Sequence, residues 1–295
     1  MEQKLEWLAQ LQGRWSATAN QLKSLYERVR WITFGLSILG ALAAAVASQY
    51  QGDTRQGLAV ASAVLIGVGT ILTKRFLGTD KAIEWVRARA ASEALKRIGY
   101  LYASLAAPYD DAATRDALLK KEVDRIEAEA ADLLAKQAPG RRGSLPAGAL
   151  DIAGYIEKRV KQQADWYQGA ADKYHAQAAS LRRIEFVLAL VTAVLTFAVG
   201  AVTKQWLLEH TKFDWVALTA VLTTISGAIL AHIEASRYDF LVVNYRATER
   251  RLRSELVDAP LAAGQPSAEW SAFVERCESA MTQENGSWVA RFSKP

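Results

Sequence analysis

Val29–Tyr50 reads VRWITFGLSILGALAAAVASQY, and the fold turns on whether this stretch crosses a membrane or lies buried in a soluble bundle. From Trp31 to Gly52 there are 22 residues without a charge. A bilayer core of about 30 Å takes about 20 apolar residues in a helix, so the run is long enough. Its alanine content makes it only mildly hydrophobic, so taken alone it also suits a buried helix of a large soluble protein.

Three further runs decide the matter. Gln56–Thr73 is an uncharged run of 18 residues, Phe186–Thr203 is another of 18, and Trp215–Ile233 is one of 19 with His232 counted as neutral. A soluble surface helix carries an apolar stripe with charge opposite it. None of these four runs has a charged face. The whole-chain averages (51% hydrophobic, mean hydropathy near zero) hide them because the rest of the chain is heavily charged. The expectation is an all-α integral membrane protein with four transmembrane helices, at about 31–52, 56–73, 186–203 and 215–233.

The ends of the runs fit. Trp31, Tyr50, Trp206 and Trp215 sit at run boundaries, where amphipathic rings prefer the membrane interface. Arg28, Arg30, Lys74, Arg75, Arg182, Arg183 and Arg237 lie beside the other boundaries. Short loops, QYQGDTRQ and KQWLLEHTKFD, join the runs into two hairpins that point the same way. Within 15 residues of the spans, the terminal and middle segments carry 12 Lys and Arg, whereas the two loops carry three (Arg55, Lys204 and Lys212). That bias places both termini and the middle segment in the cytoplasm of a multi-pass inner-membrane protein. The first 30 residues are charged and lack the apolar core of a secretory signal. The single cysteine, Cys277, gives no disulfide framework.

The two hairpins resemble each other. Arg30 and Phe34 match Arg182 and Phe186 at an offset of 152, and Ala63, Val64 and Leu65 match Ala220, Val221 and Leu222 at 157. The second offset continues beyond the span: Val86, Arg89, Ala90 and Leu95 match Val243, Arg246, Ala247 and Leu252. We read a tandem duplication with parallel repeats. The first repeat is 1–109, a connecting helix and linker fill 110–150, the second repeat is 151–260, and a C-terminal helix and tail occupy 261–295. Apolar positions Ile156, Val160, Tyr167, Ala171, Tyr174, Ala178 and Leu181 follow from Ile152 at helical spacing. One helix from Ile152 to Thr203 would be about 78 Å long, so the spans extend into long cytoplasmic helices. Their apolar stripe needs a partner, within the chain or between chains. Asp110 or Asp111 caps a connecting helix, and APGRRGSLPAG breaks the chain. Ser267 caps a last helix that carries Trp270, Phe273, Val274, Cys277 and Met281 on one face and ends at Asn285-Gly286.

LKRIGYLYASLAAPYDD and FVERCESAMTQENGSWV carry a resemblance to the SLATT family, the SMODS- and SLOG-associating two-transmembrane effector proteins of bacteria. Members show a two-span hairpin followed by a helix that ends in a Tyr-rich segment with a Pro-Tyr pair, here Pro108-Tyr109. Many close with an acidic helix and a Trp, here Glu278, Glu284 and Trp288. The resemblance covers nearly the whole chain in tandem; the second copy, SELVDAPLAAGQ, keeps Pro260 without a following Tyr. It implies a membrane effector of bacterial conflict or defence systems that forms a pore or disturbs the membrane. No nucleotide-sensing domain is recognisable in the sequence, so the trigger is expected from a separate sensor protein or from a small signalling ligand.

Enzyme chemistry finds no support. His175, His210 and His232 have no ligand-spaced partners, no phosphate-cradling glycine motif is present, and Cys277 sits on an apolar stripe. No cofactor or metal is expected. The net charge of +5 is accounted for by membrane flanks and a solvated stalk rather than by nucleic acid. Arg and aromatic residues in RYDFLVVNYRATERRLR directly follow a span, which suits the lipid bilayer's anionic headgroups. Three ionisable groups, Glu185, His232 and Glu234, sit at membrane edges.

In the second span Ser62, Ile66, Gly69 and Thr73 share a face, and the offset of 157 maps them onto Thr219, Thr223, Ser226 and Leu230. Small and hydroxylated residues either let helices pack closely or line a watery path. Four spans leave little room for a conduit, so a pore requires a homo-oligomer. The expected function is a homo-oligomeric channel or pore-forming effector gated through its stalk; the alternative is a membrane-anchored scaffold whose spans do not conduct.

Overall fold

In this computed structural model the described residues are 1–202, 211, 213–261 and 264–292, excepting the side chains of 285 and 287–292. Among them every regular element is helical. The order is α1 (Glu2–Ser48), α2 (Gly52–Phe76), α3 (Thr79–Ala103), α4 (Arg115–Glu129) with a 3₁₀ turn (Ala131–Lys136), α5 (Ile152–Tyr155) with a π-helical turn (Ile156–Lys161), α6 (Gln162–Ala201), α7 (Trp215–Ser236), α8 (Tyr238–Val257) and α9 (Ala268–Phe292). Four helical stretches are long and apolar enough to cross a membrane: Glu2–Ser48, Gly52–Phe76, Ile152–Ala201 and Trp215–Val257.

Local chemistry sets the ends. Asp151 caps α5, accepting from the Gly154 amide at 2.8 Å, and Asp214 caps α7, accepting from Ala217 at 3.0 Å. Ser267 accepts from the Trp270 amide at 3.2 Å, as its position before an apolar run predicts. Arg237 takes the left-handed conformation (φ 51°) and separates α7 from α8. Three boundaries depart from the expectations. The lead-in helix and first span are one 47-residue helix, and it stops at Ser48 rather than at Gly52. Freedom from charge marks an apolar environment, not helicity, and Gln49–Gln51 make the turn before Gly52 (φ 63°) opens α2. The connecting helix is shorter than its charge pattern suggests, breaking at Ala130. Asn285-Gly286 does not end α9, which continues to Phe292. Asn and Gly lower helix propensity by about 1 kcal/mol or less each, a cost the surrounding helix absorbs.

The chain forms two compact units. Unit 1 gathers 1–26, 79–171 and 242–295; unit 2 gathers 27–78 and 172–241. Unit 1 has an aromatic core in which Trp15, Tyr102, Tyr109, Tyr155, Tyr245, Trp270 and Phe273 are fully buried. All five apolar residues expected on one face of α9 are buried there, at 0% exposure except Met281 at 4%. The stalk stripe finds its partners inside the chain: Val160, Tyr167 and Ala171 are buried in unit 1, and Ala178 in unit 2. The segment expected as a linker lies against α1 in unit 1: the Gly143 amide donates to the Ala9 carbonyl at 2.7 Å. A Cβ on Gly13 would fall 1.8 Å from the Arg141 carbonyl oxygen, so only glycine permits this approach.

Unit 2 is built around the first span. Residues of α1 meet α2 in antiparallel order, Gly40 against Ser62 and Ile66, then Leu36 against Gly69. They meet α7 in antiparallel order too: Gln49 binds Asp214, and Trp31 and Phe34 flank His232. Ala41, Ala178, Ile225, Ile229, Ile233 and Tyr238 form its buried core.

Candidate functional site

The residues expected to line a path divide into two groups. Ser62 is buried and donates from its hydroxyl to the Gly40 carbonyl at 2.8 Å, an interhelical bond inside unit 2. Gly69, about two helical turns further, is buried against Leu36 and the Thr33 carbonyl. Ser226 is buried and donates to Glu185 Oε1 at 2.9 Å, joining α7 to α6. These three serve contact between helices within the chain. Ile66, Thr73, Thr223 and Leu230 are exposed, and Thr219 is half-buried. The Thr219 and Thr223 hydroxyls donate to their own helix, to the carbonyls of Val216 and Thr219 at 2.8 and 2.9 Å. Hydroxyls satisfied in this way sit at low cost against either lipid or water. Thr203, Lys204, Trp206, His210 and Lys212, expected at or near the second loop, lie outside the described residues.

The edge groups are set apart by their neighbours. Glu185 is half-buried and holds Ser226. His232 is buried between the rings of Trp31 and Phe34, 4.3 and 4.5 Å between centroids, and its Nε2 has no hydrogen-bond partner among the described residues. Glu234 is exposed, and its backbone carbonyl helps close α7 by accepting from Arg237. No pair of these groups forms an ion pair; the sequence placed them at the same edge, and packing gave each a different partner.

Unit 1 contains what sequence reading missed. Arg159 is 3% exposed and makes a two-pronged bond to the fully buried Glu278, Nε to Oε1 at 2.8 Å and Nη2 to Oε2 at 2.7 Å. The Tyr155 hydroxyl donates to the same carboxylate at 3.1 Å, and the Tyr100 ring lies 4.5 Å from the guanidinium. Burial opposes the charge on Arg159 but Glu278 outweighs it, so the arginine pKa stands above its ordinary value. A second pair lies nearby: Arg89 is 3.8 Å from Glu284, which also accepts from the Tyr167 hydroxyl at 3.3 Å. Glu278 and Glu284 are the acidic residues through which the closing helix resembles its family; Trp288 lies outside the described side chains. The only sequence signal for these pairs was the placement of a carboxylate beside an apolar stripe. Their arginine partners are 119 residues or more away along the chain.

Between α1, α3 and the segment 158–167, unit 1 encloses a cleft of about 380 Å³. Cys277 takes no part: it is fully buried, and burial, with Glu255 and Glu278 nearby, pushes its thiol pKa up to about 12. That is the opposite of a reactive thiol. Among the described residues no group of His, Cys, Asp and Glu is arranged to hold a metal ion.

Comparison with known proteins gives two family matches, one on each half of the chain. Residues 13–117 match a family described as a protein of unknown function, DUF4231. Residues 155–288 match SMODS and SLOG-associating 2TM effector domain 1. No curated protein and no solved structure matches. Residues 155–288 thus hold most of the third and all of the fourth helical stretch long and apolar enough to cross a membrane, the buried Arg159–Glu278 pair and most of the closing helix, and they match a domain of the SLATT family.

Proposed function

We propose that this protein is a homo-oligomeric membrane effector whose spans assemble a channel or pore, governed through unit 1. The observation that carries the proposal is how little of its apolar span surface the chain covers by itself. None of the most apolar window of the third span is buried, and 11% of that of the second. Phe186, Val194 and Phe197 are 66, 60 and 80% exposed. Lipid covers such surface, and so do further copies of the chain. The match of residues 155–288 to a two-transmembrane effector domain supports the second arrangement, since a pore needs several copies around one axis. The two halves are tandem copies in this reading, although a different family model matches each. The protein lies in the inner membrane with both termini inside, and its trigger is a separate sensor protein or a small ligand. No catalytic step is assigned to it.

The exposed half of the expected path, Ile66, Thr73, Thr223 and Leu230, supplies the lining, while Ser62, Gly69 and Ser226 hold each subunit together. Hydrophobic constrictions gate by dewetting, so Ile66→Ser or Leu230→Ser raises resting ion leak in liposomes. Thr223→Val lowers conductance in those leaky backgrounds. Well-folded serine variants that leave the liposomes tight, together with a monomeric mass in lipid nanodiscs, overturn the pore. A membrane-anchored scaffold is the second reading, favoured by the use of Ser62 and Ser226 in packing rather than in a lumen. Topology is tested separately: in a Cys277→Ser background, cysteines at Gln51 and Thr211 react with an impermeant reagent on intact cells and one at Ser144 does not. Reaction at Ser144 alone inverts the orientation.

A further inference from the structure

The cleft in unit 1 has a lopsided charge. Lys23, Arg89, Lys96, Lys158 and Arg159 line it against one carboxylate, Glu93. Two of the cations have partners behind the wall, Arg159 in Glu278 and Arg89 in Glu284. With those two carboxylates included, and Lys23 left out of the count, Lys96 and Lys158 face the single carboxylate Glu93. Lys23 lies over the Trp85 ring, 5.9 Å from its centroid. Lys158 is exposed at the cleft. Lys96 is half-buried, and its ammonium makes no hydrogen bond or ion pair among the described residues. Burial lowers its pKa, Glu93 opposes that, and Arg159 adds to it.

An ammonium held partly out of water among guanidiniums is costly unless an anion answers it. The volume falls within the range of small-molecule sites, and the polar groups converge, with Asn20, Ser92 and Gln163 between the lysines. A carboxylate alone is a poor match, because the guanidiniums that would grip it in two-pronged fashion already hold Glu278 and Glu284. What remains are lysine point charges, which suit a doubly charged group with many acceptor oxygens. We propose that this cleft binds a small phosphate-bearing anion through Lys96 and Lys158, with Lys23 at its edge. The site does not require that the spans conduct.

The test uses the full chain in nanodiscs and reads binding rather than flux. Inorganic pyrophosphate is titrated by calorimetry into wild type, Lys96→Gln and a control, Lys121→Gln, on the exposed face of α4. Wild type and control bind alike, and Lys96→Gln binds roughly tenfold more weakly, the scale of one charge-assisted contact. Gln keeps much of the lysine stem without its charge, and the variant's melting temperature checks that it folds. A lipid headgroup is the other source of phosphate, so melting is also compared in phosphatidylglycerol and phosphatidylcholine nanodiscs. Stabilisation by phosphatidylglycerol that Lys96→Gln abolishes, with no response to pyrophosphate, assigns the site to headgroups. Absence of any Lys96-dependent effect in both arms overturns the proposal.

Discussion

The two units solve the same burial problem in opposite ways. Unit 1 fully buries an aromatic core that includes Trp15, Tyr155 and Trp270, and it pairs Arg159 with Glu278 and Arg89 with Glu284. Unit 2 has a small core of Ala, Ile and Tyr and turns Phe, Val, Leu and Ile outward. In water the second pattern would be a large exposed apolar patch. In a bilayer the hydrophobic effect does not drive helices together, and close packing and hydrogen bonds do that work instead. The polar groups differ accordingly. Unit 1 buries the two-pronged Arg159–Glu278 ion pair, whereas unit 2 uses single hydroxyls from Ser62 and Ser226 to tie one helix to the next.

The sharpest way to break this contrast is at Glu278. Glu278→Ala leaves Arg159 charged and buried without its partner, which costs about 3–5 kcal/mol in unit 1. Thermal unfolding followed through tryptophan fluorescence reads the loss. Replacing both partners, Arg159→Met with Glu278→Leu, recovers much of it, because a buried ion pair adds little over a well-packed apolar pair. A loss below about 1 kcal/mol for Glu278→Ala would mean that water reaches the pair, contrary to its burial.

Gly40 tests unit 2. A Cβ there would fall 2.7 Å from Ile66 Cγ1 and 3.5 Å from the Ser62 carbonyl oxygen. Gly40→Val therefore separates α1 from α2 and costs about 1–3 kcal/mol of membrane-domain stability, as overpacking does. Ile66→Ala in the same chain restores part of it. Steric-trap or detergent unfolding measures both. If Gly40→Val is neutral, α1 and α2 do not meet at this point.

The smallest effect is expected at Ser62. Ser62→Ala removes one interhelical hydrogen bond, worth about 0.6 kcal/mol in membrane proteins. The fall in stability should appear without any change of conductance, because the hydroxyl is occupied by Gly40 rather than facing water. A clear conductance change in Ser62→Ala would return this residue to the pore.

What the sequence could say about the site was limited by the range of its signals. Spacing put Ser62, Ile66, Gly69 and Thr73 on one stripe of α2. A helix face is wide, however, and α1 covers Ser62 and Gly69 while leaving Ile66 and Thr73 exposed. Hydropathy cannot tell which part of a stripe a neighbour will cover. The linker shows the same limit: glycine, proline and arginine marked 138–148 as a break in the helix, but nothing local reveals that it docks on Gly13.

The sequence alone determined the four apolar helices, the helical class, the Ser267 cap and the buried face of α9. Each follows from residues a few positions apart, through helical periodicity, capping chemistry and the length a bilayer requires. Only the tertiary structure decided that the first span packs on both the second and the fourth. It also brought Arg159 to Glu278 across 119 residues and assembled a cationic cleft from three separate segments. Those outcomes rest on the complementary shape and charge of surfaces remote in the chain, and no local pattern of residues encodes which remote surface will be met.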